Sequence, residues 1–236
     1  MKVKKMSTQL GWTAFMAMAA TLSMPAAHAG FGLPDIPIPG ASASKAGNVD
    51  VGSLLSQQKD LMGRFNQSMS NMLTAQALTL EAGGLKKDAE LASATAANYK
   101  DGTVHTKDQL ARDTKFSADA AKAIEGLMKK NTALSADGQK KLLSAVPHYA
   151  KGVYEGTKLP QGFQAWTDSA KNGLNGLTAD PLNASKLTSG LGDVATVATN
   201  LPALVSTWTT TSKAFMTYAQ SNKVDTKDLS SKMGDL

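Results

Sequence analysis

From Leu54 to Tyr218 the large apolar residues recur three and four positions apart, in blocks closed off by glycine and proline. That spacing is the period of a helix with one apolar face, and it leaves little of the chain for strands. No stretch alternates apolar and polar residues cleanly, and no Asn-Gly or Asp-Gly pair is flanked by alternating hydrophobics. The pattern predicts an all-α fold: a bundle of five to seven helices behind an extended, proline-rich N-terminal tail.

The first helix is expected over Val51 to Ala82, with Leu54, Leu55, Leu61, Met62, Phe65, Met69, Met72, Leu73, Leu78 and Leu80 as its large apolar positions, most of them on one face, and Gly83-Gly84 ending it. Met62, Met69 and Met72 on that face could form an adaptable groove, but methionines at helical spacing read as core. An alanine-rich segment follows from Leu85 to Lys100, broken at Asp101-Gly102. Thr106 with Gln109 forms a capping box that opens a third helix, Lys107 to Lys130. Ser135 caps a fourth, from Ala136 to about Lys158, with a kink or break expected at Pro147. Leu159-Pro160-Gln161-Gly162 reads as a loop, and Phe163 and Trp166 as the start of a shorter helix ending around Gly173 to Gly176. Asp180-Pro181 starts a segment that runs into residues 190–223, with Pro202 splitting it. A last turn is expected at Thr226 to Lys232.

Residues 1–29 have the three parts of a secretory signal peptide in order. Lys2, Lys4 and Lys5 make a positive start, Leu10 to Met24 is a charge-free apolar run too short to span comfortably, and Ala27-His28-Ala29 is a small-x-small cleavage site. Cleavage near Ala29/Gly30 and a bacterial periplasmic or secreted location are expected. The chain has no cysteine, so disulfides, thiol chemistry and thiolate metal sites are excluded and stability must come from burial.

Residues 30–48 read as tail and linker, and 49–236 as a single α-helical domain. Pro34, Pro37 and Pro39 forbid a helix and favour extended backbone, while Ala41 to Asn48 is small and polar. Phe31, Leu33, Ile36 and Ile38 are apolar, unlike an ordinary spacer. Phe31, Leu33, Pro34, Ile36, Pro37, Ile38 and Pro39 are therefore the candidate partner-binding residues, as a docking segment or as a latch on the chain's own body.

The net charge of +6 includes three leader lysines; without them 22 basic face 19 acidic residues. Only Arg64 and Arg112 are arginines, and lysines and acids are interspersed, which argues against a nucleic-acid partner. Beyond the leader, His105 and His148 are the only imidazoles, and there is no Gly-x-Ser-x-Gly elbow, metal-spaced histidine pair or phosphate loop. His105 reads as a loop residue and His148 as a kink or surface residue. The four glutamates, Glu81, Glu90, Glu125 and Glu155, sit in helical patterns near lysines, as solvated faces do. No catalytic residue, metal or cofactor is expected.

Val194 to Ser212 is the longest charge-free stretch after the leader. Its Thr and Ser residues give a helix a neutral polar face, where exposed faces ordinarily carry Lys and Glu. Burial at the centre of the bundle and contact with a partner both account for it. The expected function is non-catalytic binding of an envelope protein or an amphipathic ligand. Two alternatives are a membrane-active helical protein, inserting or pore-forming, and an envelope enzyme with a carboxylate-based site; membrane contact without a span is the partner expectation for the mature chain.

Overall fold

A computed structural model describes residues 50–100, 106–130, 133–177 and 180–234. The expected signal peptide, the tail candidates Phe31 to Pro39, the break expected at Asp101-Gly102 and His105 lie outside the described residues. Six helices and no strand occur among the described residues: α1 (Val51–Ala82), α2 (Lys86–Asn98), α3 (Lys107–Lys130), α4 (Ala136–Gly176), α5 (Pro181–Ser221) and α6 (Lys227–Gly234). The all-α bundle is as the apolar spacing predicts.

Helix starts follow the side chains that can cap them. Asp50 accepts from the Ser53 N–H at 3.1 Å, Thr106 from Gln109 at 3.2 Å, Ser135 from Gly138 at 3.2 Å and Asp180 from Asn183 at 3.1 Å. At the end of α1, Gly84 takes φ +81°, a conformation that a side chain would strain.

α1 is the central element. Phe65, Met69, Met72, Leu73 and Leu80 are buried against α4, α2 and α3, so Met69 and Met72 are core, while Met62 is only partly buried. Tyr149 of α4 and Phe215 of α5 stack with ring centroids 4.3 Å apart. A smaller alanine-rich cluster of Ala77, Leu80, Ala89, Ala92, Ala120 and Ile124 joins α1, α2 and α3.

The main departure from the expected layout lies in α4 and α5. The loop expected at 159–162 is helical, the break expected at Pro147 does not occur, and α4 runs 41 residues through Pro147 and Pro160. Likewise α5 runs 41 residues without a break at Pro202. A proline inside a helix costs about 3 kcal/mol through its missing N–H and its clash with the carbonyl four residues back. A fully buried large apolar side chain contributes about 1.5–3 kcal/mol. Val146 and Tyr149 flank Pro147, Leu159 and Phe163 flank Pro160, and Leu201 and Leu204 flank Pro202, all buried in the main core. Burial on both sides thus outweighs each proline. Pro147 and Pro202 also sit on the exposed side, where water can take the freed carbonyl.

The glycines of α4 allow close approach rather than ending the helix. A Cβ on Gly152 would lie 2.6 Å from the Met72 sulfur of α1, and one on Gly162 would lie 2.8 Å from Leu61. Trp166 donates its indole N–H to the Leu54 carbonyl at 2.7 Å, fixing the far end of α4 to the start of α1. Arg64 places Nε and Nη2 at 3.3 and 3.0 Å from one oxygen of Glu155, across the same pair.

Candidate functional site

The junction of α1, α3 and α5 leaves a cleft of about 260 Å³. Met62 and Phe65 come from α1, Thr106, Lys107 and Leu110 from the start of α3, and Gly192, Asp193, Thr196 and Val197 from α5. Phe65, Leu110 and Val197 lie buried beneath it, and Met62 is partly buried at its edge. Tyr99 meets the Phe65 ring edge-on at 6.3 Å and donates its hydroxyl to Asp113 at 3.0 Å. Burial, then the Asp113 carboxylate, push the Tyr99 phenol far above its usual range, so it stays neutral.

Both hydroxyls on the rim serve their own helices. Thr106 accepts from the Gln109 N–H, and Thr196 donates to the Gly192 carbonyl at 3.0 Å. Lys107 on α3 and Asp193 on α5 supply the charges. Neither has an ion-pair partner among the described residues.

From this cleft the outward face of α5 continues without charge as far as Lys213. Leu201, Leu204, Trp208, Thr211 and Ser212 point into the bundle, whereas Ala195, Thr199, Pro202, Ala203, Ser206 and Thr210 are exposed. The helix therefore divides the stretch, with one side in the core and the other an uncharged surface. Thr199 and Thr207 donate to the carbonyls of Ala195 and Ala203 at 2.8 and 2.9 Å. Their hydrogens are thereby taken by the backbone, and the face presents methyl groups and hydroxyl lone pairs.

The imidazole and the glutamates are placed otherwise. His148 is partly buried, with Nδ1 3.0 Å from the Asn71 side-chain oxygen. Burial, then Lys151 and Lys100, hold its imidazole below the usual range. Glu81 pairs with Lys141 at 2.7 Å and Glu155 with Arg64. Among the described residues no group of three or more His, Asp or Glu side chains could hold a metal ion, and no helix is long and apolar enough to cross a membrane. A second, more open groove of about 350 Å³ lies between α4 and the start of α6, lined by Leu143, Val146, Pro147, Asp225, Lys227 and Asp228.

The sequence reading named the uncharged stretch of α5 but not the cleft. One signal for it was available: Asp193 is the only acidic residue in the 41 of α5. No family model matches this chain, and no curated protein or solved structure matches it.

Proposed function

We propose that this is an exported, non-catalytic binding protein that acts in the bacterial envelope or outside the cell. Its partner is another envelope protein or an amphipathic ligand. The observation that carries this reading is the uncharged outward face of α5, which leads into the cleft with Lys107 and Asp193 at its lip. Charged side chains ordinarily solvate an exposed helix face and oppose association, and this face lacks them. The cleft adds a small concavity beside that face. The tail residues Phe31, Leu33, Pro34, Ile36, Pro37, Ile38 and Pro39 supply a second apolar segment suited to docking.

The test uses the mature protein beginning at Gly30, a variant lacking residues 30–46, and a variant with Thr199→Glu and Ala203→Glu. Components retained from native envelope are identified, and their affinities measured with purified material. The intact protein is expected to hold one component stoichiometrically. The charged α5 face should weaken it at unchanged melting temperature, and loss of the tail should lower either affinity or melting temperature. Leakage from vesicles, or turnover traced to a definite side-chain cluster, would replace this reading with one of its alternatives.

A further inference from the structure

We infer that one end of the helix bundle is an electrostatic docking surface for an anionic phospholipid bilayer, built from lysines of α2, α3, α4 and the turn after α5. It uses neither the α5 face nor the cleft, so it goes beyond the binding reading above and is tested apart from it.

The end is the one where α1 closes and α4 opens. Leu127, near the end of α3, fills the space beside Gly83 at the end of α1. A Cβ on Gly138, in the first turn of α4, would lie 3.2 Å from the Ala82 carbonyl. Lys141 of α4 pairs with Glu81 of α1 at 2.7 Å. The Leu134 N–H donates to the Asn222 side-chain oxygen at 3.1 Å, which adds the end of α5. Lys86, Lys87, Lys129, Lys130, Lys140 and Lys223 lie within a few positions of these contacts, and all are exposed. None has an ion-pair partner among the described residues.

Acidic residues at this tip are fewer. Glu81 is taken by Lys141, and Asp88 and Asp137 remain. Glu90 and Glu125 sit about a turn further along their helices, and Asp225 and Asp228 lie beside Leu143 and Pro147 of α4. At the opposite end the signs alternate, with Lys59 next to Asp60, Lys107 next to Asp108, and Asp50 and Asp180 as helix caps. Helix stability accounts for Lys129 and Lys130, which complement the C-terminal dipole of α3. It does not account for Lys86 and Lys87, which stand in the first turn of α2, where the dipole disfavours cations.

The make-up of the tip selects the partner. Lysine is a hydrated point charge suited to diffuse attraction toward a charged surface, whereas single phosphates and bases are gripped by arginine forks. Both arginines are elsewhere, Arg64 on Glu155 and Arg112 in the second turn of α3. Among the described residues no aromatic side chain is exposed, so no ring is offered for base stacking. The exposed large apolar side chains, Leu91, Leu143 and Leu182, lie off the tip, so attachment is to headgroups and not into hydrocarbon.

The test sediments the mature protein with dye-loaded vesicles of phosphatidylcholine, alone or with phosphatidylglycerol as about one lipid in three. Binding is expected only with phosphatidylglycerol, without dye release, and is lost between about 50 and about 500 mM salt. Changing Lys86, Lys87, Lys129 and Lys130 together to Gln should weaken it about a hundred-fold or more. Lys140→Gln with Lys223→Gln should weaken it in the same direction without touching α2 or α3. A control with Lys59, Lys100, Lys171 and Lys186 changed to Gln carries the same loss of charge as the first variant and should keep most of the affinity. Melting temperatures establish that each variant is folded. No sedimentation with phosphatidylglycerol, or equal losses in the tip and control variants, would overturn the docking surface. Dye release, or binding to phosphatidylcholine alone, would replace headgroup attachment with insertion. A short duplex DNA held more tightly than the vesicles at the same salt would overturn the lipid assignment.

Discussion

Trp208 of α5 donates its indole N–H to the Ser117 hydroxyl of α3 at 3.2 Å, and that hydroxyl is shared with a third helix. Ser117 donates onward to the Gln76 side-chain oxygen of α1 at 3.2 Å, and Gln76 returns a hydrogen bond from its amide nitrogen to the Ser117 carbonyl at 3.0 Å. All three residues are buried, so one hydroxyl ties α1, α3 and α5 where water does not reach. Ser117→Ala leaves an indole N–H and an amide oxygen without that partner. The expected cost is about 1–3 kcal/mol, read as a lower urea midpoint at unchanged slope. A midpoint equal to that of the unsubstituted protein would remove the network from the account of stability.

Two glycine-to-alanine changes should have opposite signs. Ordinarily the change stabilises a helix interior by about 1 kcal/mol. Gly63 of α1 is exposed with nothing within 4 Å of an added Cβ, so Gly63→Ala should raise the melting temperature. At Gly156 of α4 the same Cβ would sit 2.9 Å from a carbon of the Trp208 ring. The ring is fully buried and hydrogen-bonded, so it has little freedom to move. Overpacking there should cost about 1–3 kcal/mol by thermal or urea melts.

Ser212 is fully buried, and its hydroxyl has no hydrogen-bond partner among the described residues. Ser212→Ala removes an unsatisfied polar atom without creating another. The variant should be as stable as the unsubstituted protein or more so, by up to about 1–2 kcal/mol. A clear loss of stability would mean that the hydroxyl is satisfied by a bound water.

His148 should make the fold more sensitive to acid. Its pKa in the folded state lies below the usual 6.5, mainly because burial disfavours the cation. As pH falls through 6.5 the unfolded chain takes up a proton before the folded one does, so stability declines. The decline from this group stops below the folded pKa, where both states are protonated. His148→Gln should flatten that part of the stability profile while keeping a partner for Asn71. An NMR titration of the ring that centres at or above 6.5 would contradict the direction.

Several elements were legible residue by residue. The ends of α1 and α3 could be placed from Gly83-Gly84, Thr106 and the lysines at 129 and 130, because capping and chain reversal are local events. The methionine stripe could be read as core, since Met69 and Met72 fall on the same face as Phe65 and Leu73. The two longest helices were not legible in this way. Pro147, Pro160, Gly162 and Pro202 are local signals for a break, and what overrides them lies on other helices. Gly162 is one case: Leu61, about a hundred positions away along the chain, sits where a side chain on residue 162 would go.

The α5 stretch shows the same division. Its lack of charge was plain from the sequence, but whether that meant core or surface depended on where α3 and α4 pack. The answer is both, with Trp208 inside and Thr199 outside.

The sequence by itself determined the helical class, the caps and the absence of thiol chemistry, because each depends on residues within a few positions of one another or on composition alone. Only the tertiary structure decided that α4 and α5 continue through their prolines, and that Met62, Leu110 and Val197 meet Lys107 and Asp193 around one cleft. Those outcomes depend on burial summed over helices far apart in the chain, a quantity that no local pattern carries.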